Sequence, residues 1–140
     1  YGERAKVNLS LSDSRKSKND MDFVLITRPK FYRGLAYSIL GKLYHEVPGW
    51  PISFGNDNKS IVVLKKGIKA NPNNRLNYLF LAEVYFNENR IKKALQTIAT
   101  GFKVPFDNQF ITEERYYLKK LKNLKKKIIK YQQFNNEFFL

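Results

Sequence analysis

Between Tyr78 and Pro105 the residue spacing leaves room for one kind of local structure. Tyr78, Leu81, Ala82 and Tyr85 fall at i, i+3, i+4 and i+7, which puts all four on one stripe of a helix. Asn87-Glu88-Asn89 interrupts that stripe with turn formers. Ala94, Ile98 and Gly101 then open a second stripe, with small residues where two helices must approach closely. The same template fits upstream, with Tyr37, Leu40, Gly41 and Tyr44 on a first helix and Ser60, Leu64, Gly67 and Pro72 on a second. Asn71-Pro72-Asn73-Asn74 makes a good helix-to-helix turn. The upstream copy is longer, because about seven extra residues sit between its helices when set against a repeat of about 34 residues. They fall within His45–Asn58, where Pro48-Gly49 and Pro51 cannot continue a helix.

This spacing resembles the tetratricopeptide (TPR) repeat and implies an all-α fold, a short right-handed helical solenoid of six to seven helices. The expected organisation is a single domain over 1–140. It comprises a degenerate terminal unit over 1–29, a repeat over 30–74 with an inserted loop at 45–58, a second repeat over 75–106, and a basic capping helix and tail over 112–140. In the terminal unit Ser17, Met21 and Val24 occupy second-helix positions, and only Ala5 supports a first helix. Thr112 is the expected N-cap of the last helix, with Glu113 and Glu114 in its positive first turn. Its apolar seam is Tyr117, Leu121, Leu124, Ile128 and Tyr131, running to about Gln133, with Lys119, Lys122, Lys126 and Lys130 outside.

With Tyr37, Leu40 and Tyr44 turned into the stack, Leu35, Ser38, Lys42 and His45 face the concave side of such a solenoid. Leu76, Leu79, Glu83 and Phe86 take the equivalent stripe in the second repeat. TPR domains that hold a terminal carboxylate do so with Lys, Arg and Asn on this face. Here only Lys42 is suitable and Glu83 would repel the ligand, so a half-apolar groove is expected instead. Either it receives a hydrophobic segment or ligand, or another helix of the chain fills it. In the inserted loop Trp50, Ile52 and Phe54 alternate between Pro and Gly residues. They either fold back to seal the first helix pair or border a ligand cavity or subunit contact, where Trp and Phe are favoured.

Gly41, Leu43 and Tyr44 leading into Pro48-Gly49-Trp50-Pro51, then Ser53-Phe54-Gly55 and Leu81-Ala82-Glu83, resemble the TPR-like T-components of tripartite ATP-independent periplasmic (TRAP) transporters. The wider group of small bacterial cell-envelope TPR proteins is similar. The resemblance covers about half the chain, and Asn56 stands where that pattern has Asp. It implies a periplasmic or lipid-anchored protein with an apolar cleft, sometimes a trimer, that partners a solute-binding protein; a cytoplasmic location is the alternative.

Composition narrows the chemistry. A hydrophobic share of 43% and aromatic share of 15% exclude an intrinsically disordered chain. With no Cys and one His, Cys-ligated zinc, thiol catalysis and multi-histidine metal sites are all excluded. His45 and Glu46 are adjacent, so on a helix they point about 100° apart and make no acid–base pair. No nucleophile constellation or phosphate-cradling loop is present, so the expectation is a protein that is not an enzyme and needs no cofactor or metal.

The formal charge of +14 arises from 26 basic and 12 acidic residues. Lys outnumbers Arg by 19 to 7, which argues against specific phosphate or base reading, where the planar guanidinium is preferred. The dense run is Lys119–Lys130, interleaved by Leu and Ile rather than stacking aromatics. The leading expectation is a scaffold of the bacterial cell envelope that binds a protein partner or apolar ligand through the groove and the Trp50 loop. The alternative is a basic cytosolic adaptor touching nucleic acid or an anionic membrane through the 119–130 face.

Overall fold

The computed structural model describes the backbone of residues 2–139 and the side chains of residues 11–136. The fold is all-α. Among the described residues six helices follow one another: α1 (Gly2–Thr27), α2 (Leu35–Glu46), α3 (Asp57–Ala70), α4 (Arg75–Asn87), α5 (Ile91–Lys103) and α6 (Ile111–Phe139). Short 3₁₀ turns at Phe31–Gly34 and Asn108–Phe110 precede α2 and α6. The chain divides into two compact units, residues 1–71 and 72–140, and the division falls in the Asn71–Asn74 turn.

In the first unit α2 packs between α1 and α3. Most of the expected stripes are in the core: Leu40, Gly41 and Tyr44 on α2, and Ser60, Leu64 and Gly67 on α3, are buried, while Tyr37 is half-buried. Gly41 permits the close approach, because a Cβ there would lie 2.4 Å from Leu64 Cγ. The Ser60 hydroxyl uses the same proximity to donate to the Gly41 carbonyl at 2.6 Å. Within the stretch expected as a degenerate terminal unit, 1–29, α1 is one continuous helix of 26 residues. The side chain of Ala5 lies outside the described residues. Between α1 and α2 the backbone reverses through three left-handed residues, Tyr32 (φ 48°), Arg33 (φ 60°) and Gly34 (φ 69°). Only the last of these adopts that conformation without steric cost.

In the second unit α4 packs on α5, and α6 packs on both. Tyr78, Leu81, Ala82 and Tyr85 are buried, as are Ala94, Ile98 and Gly101. α4 ends in a Schellman motif: Arg90 N–H donates to the Tyr85 carbonyl and Asn89 N–H to that of Phe86, with Asn89 left-handed at φ 58°. Asn thus serves where Gly is the commoner choice, and the Asn87–Asn89 break falls where the periodicity put it. At the start of α4 the Asn74 side chain accepts from Leu76 N–H.

Three local expectations are corrected. The linker between α2 and α3 is 47–56, shorter than 45–58, because Asn56 accepts from Lys59 N–H and caps α3. Thr112 is not an N-cap. It lies inside α6, and Asp107 caps the preceding 3₁₀ turn by accepting from Gln109 N–H. α6 also runs past Gln133, to Phe139.

Replacing Gly41 by Ala should cost about 1–3 kcal/mol, since fully buried Leu64 has nowhere to move. Urea denaturation checks this: the midpoint should fall with the slope unchanged.

Candidate functional site

The linker after α2 is a closed excursion. Val47 N–H completes the last turn of α2 by donating to Leu43. Gly49 and Gly55 then form an isolated parallel bridge, with Gly55 N–H donating to Pro48 at 3.0 Å. A Cβ on Gly55 would fall 1.7 Å from the Val47 carbonyl oxygen, so only glycine fits there. Inside the bridge the N–H groups of Ile52 and Ser53 both donate to the Gly49 carbonyl, and the Trp50–Pro51 peptide bond is cis. Asn56 N–H donates to the Tyr44 carbonyl at 2.7 Å, which ties the far end of the loop back to α2.

The three alternating apolar residues separate. Phe54 turns inward and meets Tyr44 edge to face, with ring centroids 5.8 Å apart. Lys18 of α1 places its ammonium 5.9 Å from both rings while pairing with Asp22 at 2.7 Å. That hydrogen bond to Asp22 is the main reason the Lys18 pKa lies above its ordinary value. Trp50 and Ile52 turn outward and are 91% and 61% exposed. The loop is therefore divided: Phe54 packs against the first helix pair, while Trp50 and Ile52 face outward.

His45 has a partner that the sequence gave no sign of. Its Nδ1 lies 2.8 Å from Asp57 Oδ1, across the base of the loop. Glu46 instead pairs with Lys42 at 3.0 Å, one helical turn back. Of the remaining groove candidates in this unit, Ser38 is buried and Leu35 is half-buried.

In the second unit Leu76 and Leu79 are buried, while Glu83 and Phe86 are partly exposed. The Phe86 ring is met edge-on by Tyr131 of α6 at 5.6 Å, with the Lys127 ammonium 5.8 Å from its centroid. Tyr131 also donates its hydroxyl to Asn89 Oδ1 at 3.3 Å. Part of this stripe is therefore occupied by the C-terminal helix. Lys119, Lys122, Lys126 and Lys130 are exposed on the opposite side of α6, and Leu121 and Ile128 of the seam are fully buried.

The second unit also holds a buried ion pair that the spacing argument missed. Arg75 and Glu114 are 1% and 0% exposed at their side chains, and Arg75 Nη2 donates to Glu114 Oε2 at 2.8 Å. The guanidinium also donates to the carbonyls of Gly101 and Val104 at the end of α5. Nearby, Tyr78 donates its hydroxyl to the Pro72 carbonyl at 2.8 Å, and burial raises its pKa.

Among the described residues no group of three or more His, Cys, Asp or Glu side chains is arranged to hold a metal ion. No described helix is long and apolar enough to cross a membrane. No family model matches the sequence, and no curated protein is significantly similar to it.

Two expectations follow. Arg75→Met should cost about 3–5 kcal/mol, because it strands a buried carboxylate, whereas Arg75→Met with Glu114→Leu should recover most of that loss. Equilibrium denaturation of the two variants measures the difference. Tyr78 is neutral in the fold and its pKa exceeds the unfolded value of about 10, so its contribution is complete below that pH and fades as pH rises through the folded value. Tyr78→Phe should accordingly lose about 1 kcal/mol at neutral pH and decline less steeply above pH ~10 in the same assay.

Proposed function

We propose that the chain is a non-enzymatic helical-repeat scaffold of the TPR type that binds a protein partner through the tip of the 47–56 loop. The observation that carries this reading is the 91% exposure of Trp50 on a loop whose two ends are hydrogen-bonded to α2 and to each other. An exposed indole beside an exposed Ile52 is costly to leave in water. Trp is among the residues most enriched where interfaces concentrate their binding energy. The frame is held in advance by the Gly49–Gly55 bridge and the Phe54–Tyr44 contact, which lowers the ordering cost of association.

The PGWP-x-SFG loop and the two repeat stripes also support a relationship to the T-components of TRAP transporters. On that reading the protein works in the bacterial periplasm or cell envelope, and the partner is a periplasmic solute-binding protein. The polar and aromatic groups at the loop base position the tip and do no chemistry.

Trp50 is the one tryptophan of the chain, so its fluorescence reports the loop directly. In the free protein acrylamide should quench it almost as efficiently as free tryptophan. A purified solute-binding protein of the same envelope should shield it and shift its emission to the blue. Trp50→Ala should abolish that binding while changing stability by no more than about 0.5 kcal/mol. Phe54→Ala should instead lower stability by about 1–2 kcal/mol, through loss of its ring contact and burial. Undiminished binding by Trp50→Ala would remove the loop from the interface.

A further inference from the structure

The outer face of α6 carries the densest run of lysines in the sequence, and nothing in the proposed loop function uses it. Residues 115–136 contain eight cations (Arg115, Lys119, Lys120, Lys122, Lys125, Lys126, Lys127 and Lys130) and no carboxylate. All eight are exposed. Lys120 and Lys127 lie over the rings of Tyr116 and Phe86. No ion pair joins Lys119, Lys122, Lys126 or Lys130 to any other described residue.

The helix cannot turn this face inward. Glu114, Leu121 and Ile128 fix the opposite stripe in the core of the second unit, with Glu114 held by Arg75. At about 100° per residue, Lys119, Lys126 and Lys130 fall within about 40° of one another, and Lys122 lies close beside them. They form a straight ridge about 16 Å long. Ile129 stands exposed next to Lys126 and Lys130, and with Asn123 and Gln133 these residues rim a shallow hollow. Tyr116 (55% exposed) and Phe134 (62%) are 18 residues apart, or five turns, so they share one edge of the ridge near its two ends.

We infer that this ridge docks the protein on the surface of an anionic lipid bilayer. A plane meets a helix along one line, and here that line is occupied by lysines. Exposed aromatics at either end suit the headgroup level, where the Tyr116 hydroxyl stays in water and the two rings meet the acyl boundary. Lys is as effective as Arg against a diffuse negative surface, because the attraction depends on net charge near the plane rather than on bidentate geometry. Nucleic acid is less well served. The ridge has one guanidinium, Arg115; between its lysines Leu121 and Ile128 point into the core, and the exposed Ile129 is aliphatic and offers no ring for a base to stack on. The apolar face of α6 is already used, so docking is electrostatic adsorption without insertion of the helix.

The test is co-sedimentation of the full chain with vesicles of phosphatidylcholine alone, or with 30% phosphatidylglycerol, at low and moderate salt. The expected result is binding to the anionic vesicles only, weakening steeply with salt. Each lysine removed should cost about fivefold, so K119Q/K122Q/K126Q/K130Q should lower the partition coefficient by more than a hundredfold. The control K65Q/K66Q/K69Q/K92Q removes the same charge from exposed lysines elsewhere and should change it less than fivefold. The charge-preserving K119R/K122R/K126R/K130R should bind as the natural chain does, which separates charge from folding. Trp50→Ala should also bind normally, so this result stands or falls apart from the loop proposal. Equal losses in both Gln sets, or no binding to anionic vesicles, would overturn the inference. So would a 20-base-pair DNA duplex bound more tightly than those vesicles at the same salt and lost in K119Q/K122Q/K126Q/K130Q.

Discussion

The second unit depends on one guanidinium. Arg75 opens α4 and reaches two carbonyls at the end of α5 and a carboxylate in the first turn of α6, so a single buried side chain touches three helices. The arrangement suits the helix dipoles, with the cation at a negative C-terminus and Glu114 at a positive N-terminus. Burying either ion alone would cost several kcal/mol, and their pairing offsets that cost when the geometry is good. Glu114 also accepts from Asp107 N–H at 3.3 Å, so the α5–α6 connection is held by the same carboxylate. The consequence is rotational: with Glu114 fixed inward, Leu121 and Ile128 follow two and four turns later, and the lysines are left outside. We read the pair as setting the register of α6 rather than as a large net source of stability.

The first unit solves a comparable problem with backbone groups. A ten-residue linker carrying Trp, Ile and Phe would ordinarily collapse onto the nearest apolar surface. Here the bridge at Gly49 and Gly55, and the tie from Asn56 to Tyr44, use up the backbone polar groups at both ends. His45 and Asp57 meet across the base, and Phe54 packs edge to face on Tyr44. Trp50 and Ile52 are then too far out on a closed loop to be buried by it. Exposure of the indole is thus a product of how the loop is closed.

How much of this was legible in the sequence follows from how local each cause is. The stripes of α2 through α5 could be read because helical periodicity acts over three or four residues, although the core also takes in Ala36, Ser38, Ile61, Leu76, Leu79 and Val84 beside those stripes. The linker's position could be read because Pro and Gly act on their own backbone. The division of labour between Phe54 and Trp50 could not, since alternation in a segment that is not a strand does not fix which side chain faces in. The Arg75–Glu114 pair joins residues 39 positions apart, and its signal was indirect: Glu114 continues the seam of Leu121 and Ile128, where an apolar residue would be expected. Thr112 reads as a cap because the 3₁₀ turn that Asp107 caps leaves no periodic trace in the sequence. The unbroken α1 leaves no periodic signal either, its apolar residues being too sparse for a stripe.

Native-state hydrogen exchange of the whole chain tests the central claim, that Arg75 joins α4, α5 and the first half of α6 into one cooperative body that fixes the facing of the lysine ridge. The account predicts that the amides of α4, α5 and residues 115–128 share one opening free energy, equal to that of the unit as a whole. Exchange of residues 115–128 at the rate of an isolated helix, with α4 and α5 still protected, would contradict it.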